Sequence, residues 1–291
     1  MITLASDFGS PYPAAMKGVV LQRTDARLVD VAHDFPRQNV RAAAFWLREV
    51  LPYYPSATHL VVVDPGVGTD RNAIVVRAGE HALVGPDNGV LLPPARRLAV
   101  DDPLETYAID ETALETVEPT APAEPTLDAP TGDGRSDEAT GATDRRGPAS
   151  NTFHGRDVFA PAAAAVHDAP LDDLDSLPFL TASEHEADLA LPTATVATDR
   201  ASGEVLVVDG FGNAITNVPG SFLADRQTIV ANGEEVPVGE TFAAVSPGQR
   251  LATVGSHGYV ELDVNRGRGD EAFGLATGDE VVLEADGSRP S

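Results

Sequence analysis

The sequence predicts an α/β amino-terminal domain on a central, mostly parallel sheet, followed by a smaller antiparallel, β-barrel-like domain. Three observations predict it. Strand-like and helix-like patterns alternate over the first hundred residues. An acidic, low-complexity stretch then interrupts the pattern without ending it. Beyond residue 191 only short β-type runs remain, separated by Gly-containing turns. The domains are therefore placed at 1–190 and 191–291, with a disordered acidic insertion at about 111–150.

ITLASDF, from Ile2, is an apolar run that stops at Asp7, Phe8 and Gly9. A helical stretch over 13–22 follows, and ARLVDVA (26–32) reads as the second strand. NVRAAAFWLREVL (39–51) places Val40, Ala43, Ala44, Leu47 and Leu51 at helical spacing. HLVVV (59–63) is a buried strand halted by Asp64-Pro65-Gly66, and 72–78 with 81–84 form a hairpin around Ala78-Gly79-Glu80. The stretch 111–150 holds no aromatic residue and no Ile. It cannot bury enough apolar area to offset its ordering entropy, so it is expected to be disordered. Closing so long a loop costs only ~0.6 kcal/mol per doubling of length, and helical, apolar sequence resumes over 153–167. In the second domain the short runs 204–208, 228–230, 259–262 and 280–283 carry the β pattern.

Composition narrows the function. The 291 residues carry 45 Asp plus Glu against 20 Lys plus Arg, a net charge of -25. Nucleic acid and anionic membranes are held by Lys and Arg, so neither is an expected partner. Without cysteine there is no disulfide, thiolate metal site or Cys nucleophile. No leader pattern precedes MITLASDFG and no apolar run approaches the ~20 residues of a spanning helix, so the expected location is the cytoplasm. Lys17 is the only lysine. Strong acidity with almost no lysine suits a salt-filled, haloarchaeal cytoplasm, where the Debye length at 1 M is only ~3 Å and self-repulsion is screened.

Four polar clusters stand where strands end: Ser6-Asp7-Phe8-Gly9, Asp64-Pro65-Gly66-Val67-Gly68-Thr69 with Arg71, Pro86-Asp87-Asn88-Gly89, and Thr152-Phe153-His154-Gly155-Arg156-Asp157. Strand carboxyl ends are where open α/β sheets bind ligands. A fifth cluster, Asp209-Gly210-Phe211-Gly212-Asn213, lies in the second domain. Singly, each also reads as structure: Asp7 as a helix cap, Asp87-Asn88-Gly89 as a turn, His154 as a buried histidine. Two generic enzyme classes use such residues. The seven histidines never form HxH or HExxH, so no metal site is expected. A strained GxSxG nucleophile turn is missing as well.

The ordered set SDFG, MKG (Met16 to Gly18), DPGVGT followed by Arg71, PDNG, TFHGRDVFAPAAA and DGFGNAITN resembles the S-adenosyl-L-methionine (SAM) hydroxide adenosyltransferases. These SAM hydrolases share a superfamily with the fluorinase and chlorinase. The resemblance spans nearly the whole chain apart from the acidic insertion. It implies that a water-derived hydroxide attacks the 5′ carbon of SAM in line, leaving adenosine and L-methionine, with SAM as substrate and no cofactor. It carries an Asp–Arg–His water-polarising set onto Asp64, Arg71 and His154. It places Asp7 on the ribose diol, Asp209 on the methionine ammonium, Asn213 on the adenine edge and Phe211 on the adenine face. Ser256 falls on the methionine carboxylate and Asn265 near the adenine. The halogenases have an Arg at the position of His257, so carboxylate recognition departs from theirs.

The resemblance further implies a homotrimer, with SAM between one subunit's amino-terminal domain and a neighbour's carboxy-terminal domain. Two alternatives stand beside the hydrolase: a SAM-dependent halogenase, and a non-catalytic SAM or adenosine sensor. Where the halogenases carry Tyr and a small residue, this sequence has Asp64 and His154, and a carboxylate beside the nucleophile pocket repels a halide but not a neutral water. A mere binder has no use for a water-activating set.

The charge reading has a direct consequence. The melting temperature should rise steeply from low to molar KCl as screening relieves the repulsion of a -25 chain. A melting temperature flat across that range would remove the salt-adaptation argument.

Overall fold

The structure, a computed structural model, describes residues 1–69, 71–117 and 152–285. The chain divides into two compact units, Met1–Leu189 and Ala190–Ser291.

In the first unit, β1 (Ile2–Ser6), α1 (Tyr12–Leu21), β2 (Leu28–Ala32), α2 (Val40–Val50), β3 (Thr58–Val62), β4 (Ala73–Ala78) and β5 (His81–Pro86) follow the predicted alternation. Then come α3 (Leu92–Ala99), β6 (Glu105–Ile109), α4 (Glu111–Glu115), α5 (Ala160–Asp168) and β7 (Leu180–Ser183). The seven-stranded sheet runs β2-β1-β3-β5-β4-β6-β7. It is mixed: β2, β1, β3 and β5 pair in parallel, while β4, β6 and β7 continue it antiparallel.

Its strands are apolar on both faces because both faces are covered. Ile2, Leu4, Leu60, Val62, Val75 and Val84 point to one core, which includes Met16 and Val20 of α1 and Ala162 to Val166 of α5. Ala5, Val61, Val63, Ile74, Val76 and Leu83 point to the other, with Ala43 and Leu47 of α2 and Leu92 and Ala95 of α3. Strand periodicity thus splits one apolar run between two helical layers. Asn39 caps α2 by accepting a bond from the Ala42 N–H (3.0 Å).

Three features depart from the pattern expected of the sequence. LPPARRLA forms α3, since prolines in a helix's first turn lack only donors that would be unpaired anyway. The helical stretch over 153–167 opens with one wide π turn, Gly155–Phe159, before α5 begins. There a Cβ on Gly155 would lie 2.9 Å from Met16 Sδ, so glycine permits the close packing of this turn. The predicted insertion also begins too early. Asp110 caps α4 by accepting from Thr112 and Ala113 N–H (2.9 and 3.1 Å), and Leu114 is buried in the core. The remainder of that insertion, 118–150, lies outside the described residues.

The second unit is the predicted antiparallel barrel. Its strands are β8 (Thr195–Val196), β9 (Arg200–Val208), β10 (Ala214–Pro219), β11 (Thr228–Ala231), β12 (Glu234–Pro237), β13 (Arg250–Val254), β14 (Tyr259–Val264) and β15 (Glu280–Ala285), with the short helix α6 (Gly269–Phe273). The order is β12-β11-β15-β9-β10-β14-β13, with β8 on β9. The two edges approach where the Gly239 N–H donates to the Ala252 carbonyl (3.0 Å), nearly closing the sheet around Val205, Val218, Ile229, Val260, Leu262 and Leu283. Among the described residues no helix is long and apolar enough to cross a membrane.

A buried histidine, His59, paired with the half-buried His81, makes the first unit sensitive to acid. His59, on β3, bonds to Thr3 Oγ1 (2.7 Å) through Nδ1, and its Nε2 lies 2.9 Å from His81 Nδ1. Burial, reinforced by the neighbouring His81, pushes His59 down to about 3. The folded state therefore refuses a proton that the unfolded chain accepts below about 6.5. Stability from this residue is complete above that value and falls by about 1.4 kcal/mol per pH unit below it, until about 3. Denaturant unfolding at pH 7.5, 6 and 5 should show a smaller loss for His59→Gln than for the wild type. Parallel profiles would show that the pair carries no such penalty.

Candidate active site

The topology creates the site. From β1 the chain passes to β2 on one side and then to β3 on the other, so the strand order reverses between β1 and β3. Ligands of open α/β sheets bind at such a switch point, outside the strands' carboxyl ends. Asp7 follows β1, Asp64 follows β3 and Asp87 follows β5, all at that edge.

Asp64, Arg71 and His154 are in direct contact. The Arg71 guanidinium grips the Asp64 carboxylate with both arms: Nε donates to Oδ1 (2.8 Å) and Nη2 to Oδ2. Oδ1 also accepts the Gly66 N–H (3.2 Å), which fixes the DPGVG turn. The pair is nearly enclosed, with side chains 6% (Asp64) and 10% (Arg71) exposed. Arg71 Nη2 lies 3.0 Å from His154 Nδ1, and Nη1 donates to the Asn72 carbonyl (3.1 Å). The Phe159 ring, 5.1 Å from the guanidinium carbon and 6.5 Å from the His154 ring, forms an apolar floor. A guanidinium can only donate, so His154 Nδ1 accepts and the proton of the neutral ring is assigned to Nε2.

Neighbouring motifs support this cluster. Phe8, Tyr12 and Phe153 meet edge to face, with centroids 5.5 to 6.0 Å apart, which ties the SDFG loop and α1 to the segment bearing His154. Asp7 accepts the Gln38 N–H through Oδ2 (2.6 Å). In PDNG, Asn88 Nδ2 donates to the Val63 carbonyl (2.9 Å), anchoring the residue before Asp64. Asp87 accepts the Glu186 and Ala187 N–H groups (2.8 and 3.3 Å). The turn reading of PDNG therefore holds, and the turn braces the site. Phe159 was not singled out in the sequence, because an apolar helix residue has no local signature of function, and Asn88 was flagged there only as part of the PDNG cluster.

In the second unit Asp209 and Asn213 form one knot. Asp209 Oδ1 accepts from the Phe211 and Asn213 N–H groups (2.8 and 2.9 Å), and Oδ2 from Asn213 Nδ2 (3.0 Å). The knot holds out the Phe211 ring, 81% exposed. Asn213 keeps its Oδ1 and one Nδ2 hydrogen outside the knot. Ser256 sits exposed on the tight turn between β13 and β14. Asn265 is turned to a structural use, its Nδ2 donating to the Val245 carbonyl (2.7 Å). Glu261 and Asp263, which the motifs did not flag, are buried carboxyl groups on β14.

An α/β unit with a polar constellation at its switch point, followed by a small β-barrel, defines a class of two-domain proteins, and the comparisons specify which. The SAM hydroxide adenosyltransferase N-terminal domain family matches residues 2–175, and its C-terminal domain family matches 203–282. This chain belongs to the SAM hydroxide adenosyltransferase family. It is 37% identical to the (R)-S-adenosyl-L-methionine hydrolase of Thermus thermophilus, over 96% of this chain and 97% of that protein. It is 36% identical to that of Salinispora tropica, over 98% and 97%. Among solved structures, an uncharacterized conserved protein of Thermotoga maritima aligns with a TM-score of 0.74 at 29% identity, covering 97% of this chain and 99% of that one.

Proposed function

We propose that this protein hydrolyses S-adenosyl-L-methionine to adenosine and L-methionine. The observation that carries the reading is the Asp64–Arg71–His154 contact set in a chain of this family. The (R) epimer named for the curated relatives is taken as the substrate here.

The chemistry follows from what the three side chains have left to offer. Water oxygen forms a bond to the 5′ carbon while the carbon–sulfur bond breaks, its electron pair leaving on sulfur as the neutral thioether of methionine. The sulfonium is already a good leaving group, so the difficulty lies in the nucleophile. Fully deprotonating water at neutral pH spans ~9 pK units, or ~12 kcal/mol. Arg71 spends four of its five hydrogens on Asp64, His154 and Asn72, leaving one on Nη1. That hydrogen and His154 Nε2–H are the donors that stabilise developing hydroxide. Among the described residues Asp64 Oδ1 accepts twice and Oδ2 from Arg71 alone, so Oδ2 is the acceptor for the water proton. His154 thus acts as a donor that orients the nucleophile, not as the base.

The substrate contacts belong to the same reading: Asp7 for the ribose diol, Asn213 and Phe211 for adenine, Asp209 for the ammonium and Ser256 for the carboxylate. Asn265 is kept only as a backbone neighbour of the adenine, because its side chain is already used. A cytoplasmic homotrimer, with SAM between one subunit's amino-terminal half and a neighbour's carboxy-terminal half, completes it.

Incubation with SAM should yield adenosine and methionine in equal amounts, and added chloride or fluoride should yield no halogenated adenosine. 5′-Chloro-5′-deoxyadenosine as the main product would replace the hydrolase by a halogenase, and tight SAM binding without turnover would replace it by a sensor.

Asp64→Ala, Arg71→Ala and His154→Ala should each lower kcat by about 10²–10⁴-fold, with double variants losing far less than the product of the singles. SAM affinity should change little. Full activity of the His154 variant would remove it from the water-activating set.

A further inference from the structure

The second unit holds three carboxyl groups with too few cations. On β14, Val260 and Leu262 point into the barrel core, so Glu261 and Asp263 share the opposite face. There Glu261 stands across from Ile215 of β10 and Thr253 of β13, and Asp263 across from Leu251. The side chains form a ladder in depth: Asp209 is half-buried, Glu261 is 8% exposed and Asp263 is 0% exposed. Neither Asp263 oxygen has a hydrogen-bond partner among the described residues. A buried polar group so placed is costly unless a proton or a cation completes it.

The place of the pair indicates what completes it. A Cβ on Gly255 would lie 1.7 Å from Glu261 Oε1, so Glu261 lies along the turn that carries Ser256. On the other side Ala214 of β10 pairs both with Val208, the residue before Asp209, and with Leu262, the residue between Glu261 and Asp263, which brings Asp209 to the pair. Glu261 therefore connects the two segments proposed for the amino-acid end of the substrate. Two nearby arginines are committed elsewhere: Arg268 to Asp270 and Glu271, and Arg250 to Glu234 and the Ala272 carbonyl. The three carboxyls do not form a metal-holding group. What they match is a small organic cation.

We infer that Glu261 and Asp263 extend the Asp209 subsite into a three-carboxyl site that takes the α-ammonium group of the substrate, Asp263 acting from behind as a positioning residue. This rests on the proposed SAM hydrolysis and on Asp209 as ammonium partner. Burial first, then the neighbouring carboxylates, raises Glu261 to about 7 and Asp263 to about 8. The empty site keeps protons on the pair, and an arriving ammonium releases one, since a second negative charge next to that of Asp209 becomes favourable beside it. Binding should then tighten with pH up to about 7.5. The substrate's own α-amino group, with a usual pKa of about 7.7–8.0, loses its charge above that. Besides Asp209, the titratable and charged groups on the surrounding elements are Tyr259 on β14, His257 on the turn before it, Arg266 just after it, Arg250 on β13, and Arg268, Asp270 and Glu271 at α6.

The test measures KM and kcat between pH 5.5 and 7.5 for SAM and for its des-amino analogue, in which hydrogen replaces the α-amino group. For the wild type, KM for SAM should fall about tenfold over that range while KM for the analogue stays flat. Asp263→Asn should raise KM for SAM about tenfold at pH 7.5 and abolish its pH dependence, leaving kcat and the analogue within about twofold. Glu261→Gln, the second variant should the first not fold, should act in the same direction. If both variants bind SAM as the wild type does at every pH while still hydrolysing it, the three-carboxyl site is wrong and the hydrolase reading stands. If KM for SAM and for the analogue shift together, the pair is merely structural and the inference fails. A wild type that does not hydrolyse SAM overturns both.

Discussion

The bidentate grip of Arg71 on Asp64 is the interaction on which the amino-terminal half converges. Placing both charges where they are at most 10% exposed removes most of their hydration, and only good geometry offsets that cost. The geometry is imposed from several directions. The DPGVG turn holds Oδ1, Asn88 holds the carbonyl before Asp64, and Phe159 fills the space beneath the guanidinium. Arginine suits the position because its planar fork satisfies Asp64 with two bonds and still reaches His154 with a third. A lysine ammonium would be a point charge without that fork.

The carboxy-terminal half treats charge in the opposite way. Asp209 is satisfied by backbone and amide hydrogens, while Glu261 and Asp263 are buried and neither Asp263 oxygen has a hydrogen-bond partner among the described residues. One half thus carries a compensated ion pair that leaves a hydrogen-bond donor over, and the other an anionic surplus. Low dielectric strengthens both effects, since a buried charge is worth more and costs more to leave alone.

Much of this was legible in the sequence because it depends on local pattern. Apolar runs halted by Asp7 and Asp64 mark strands with polar ends, the helical spacing from Val40 to Leu51 marks α2, and Ala78-Gly79-Glu80 marks the hairpin. Where local pattern misled, a distant contact won. The acidic composition after residue 110 concealed α4, which exists because Leu114 finds a core built by other elements. Prolines concealed α3, and β6 and β7 were hidden because their pairing is wholly non-local.

By itself the sequence determined the strand–helix alternation from β1 to β5, the two-part architecture, the family and the identity of the polar residues at the strand ends. All of these follow from periodicity, turn chemistry and motifs read along the chain. Only the tertiary structure decided that Arg71 bonds to His154, 83 positions away, and so which ring nitrogen carries the proton. It alone decided that Asn265 is spent on a carbonyl, and that Asp263 is sealed inside without a partner. Hydrogen-bond satisfaction and desolvation are properties of the space around a side chain, and that space is assembled by residues far apart in the chain.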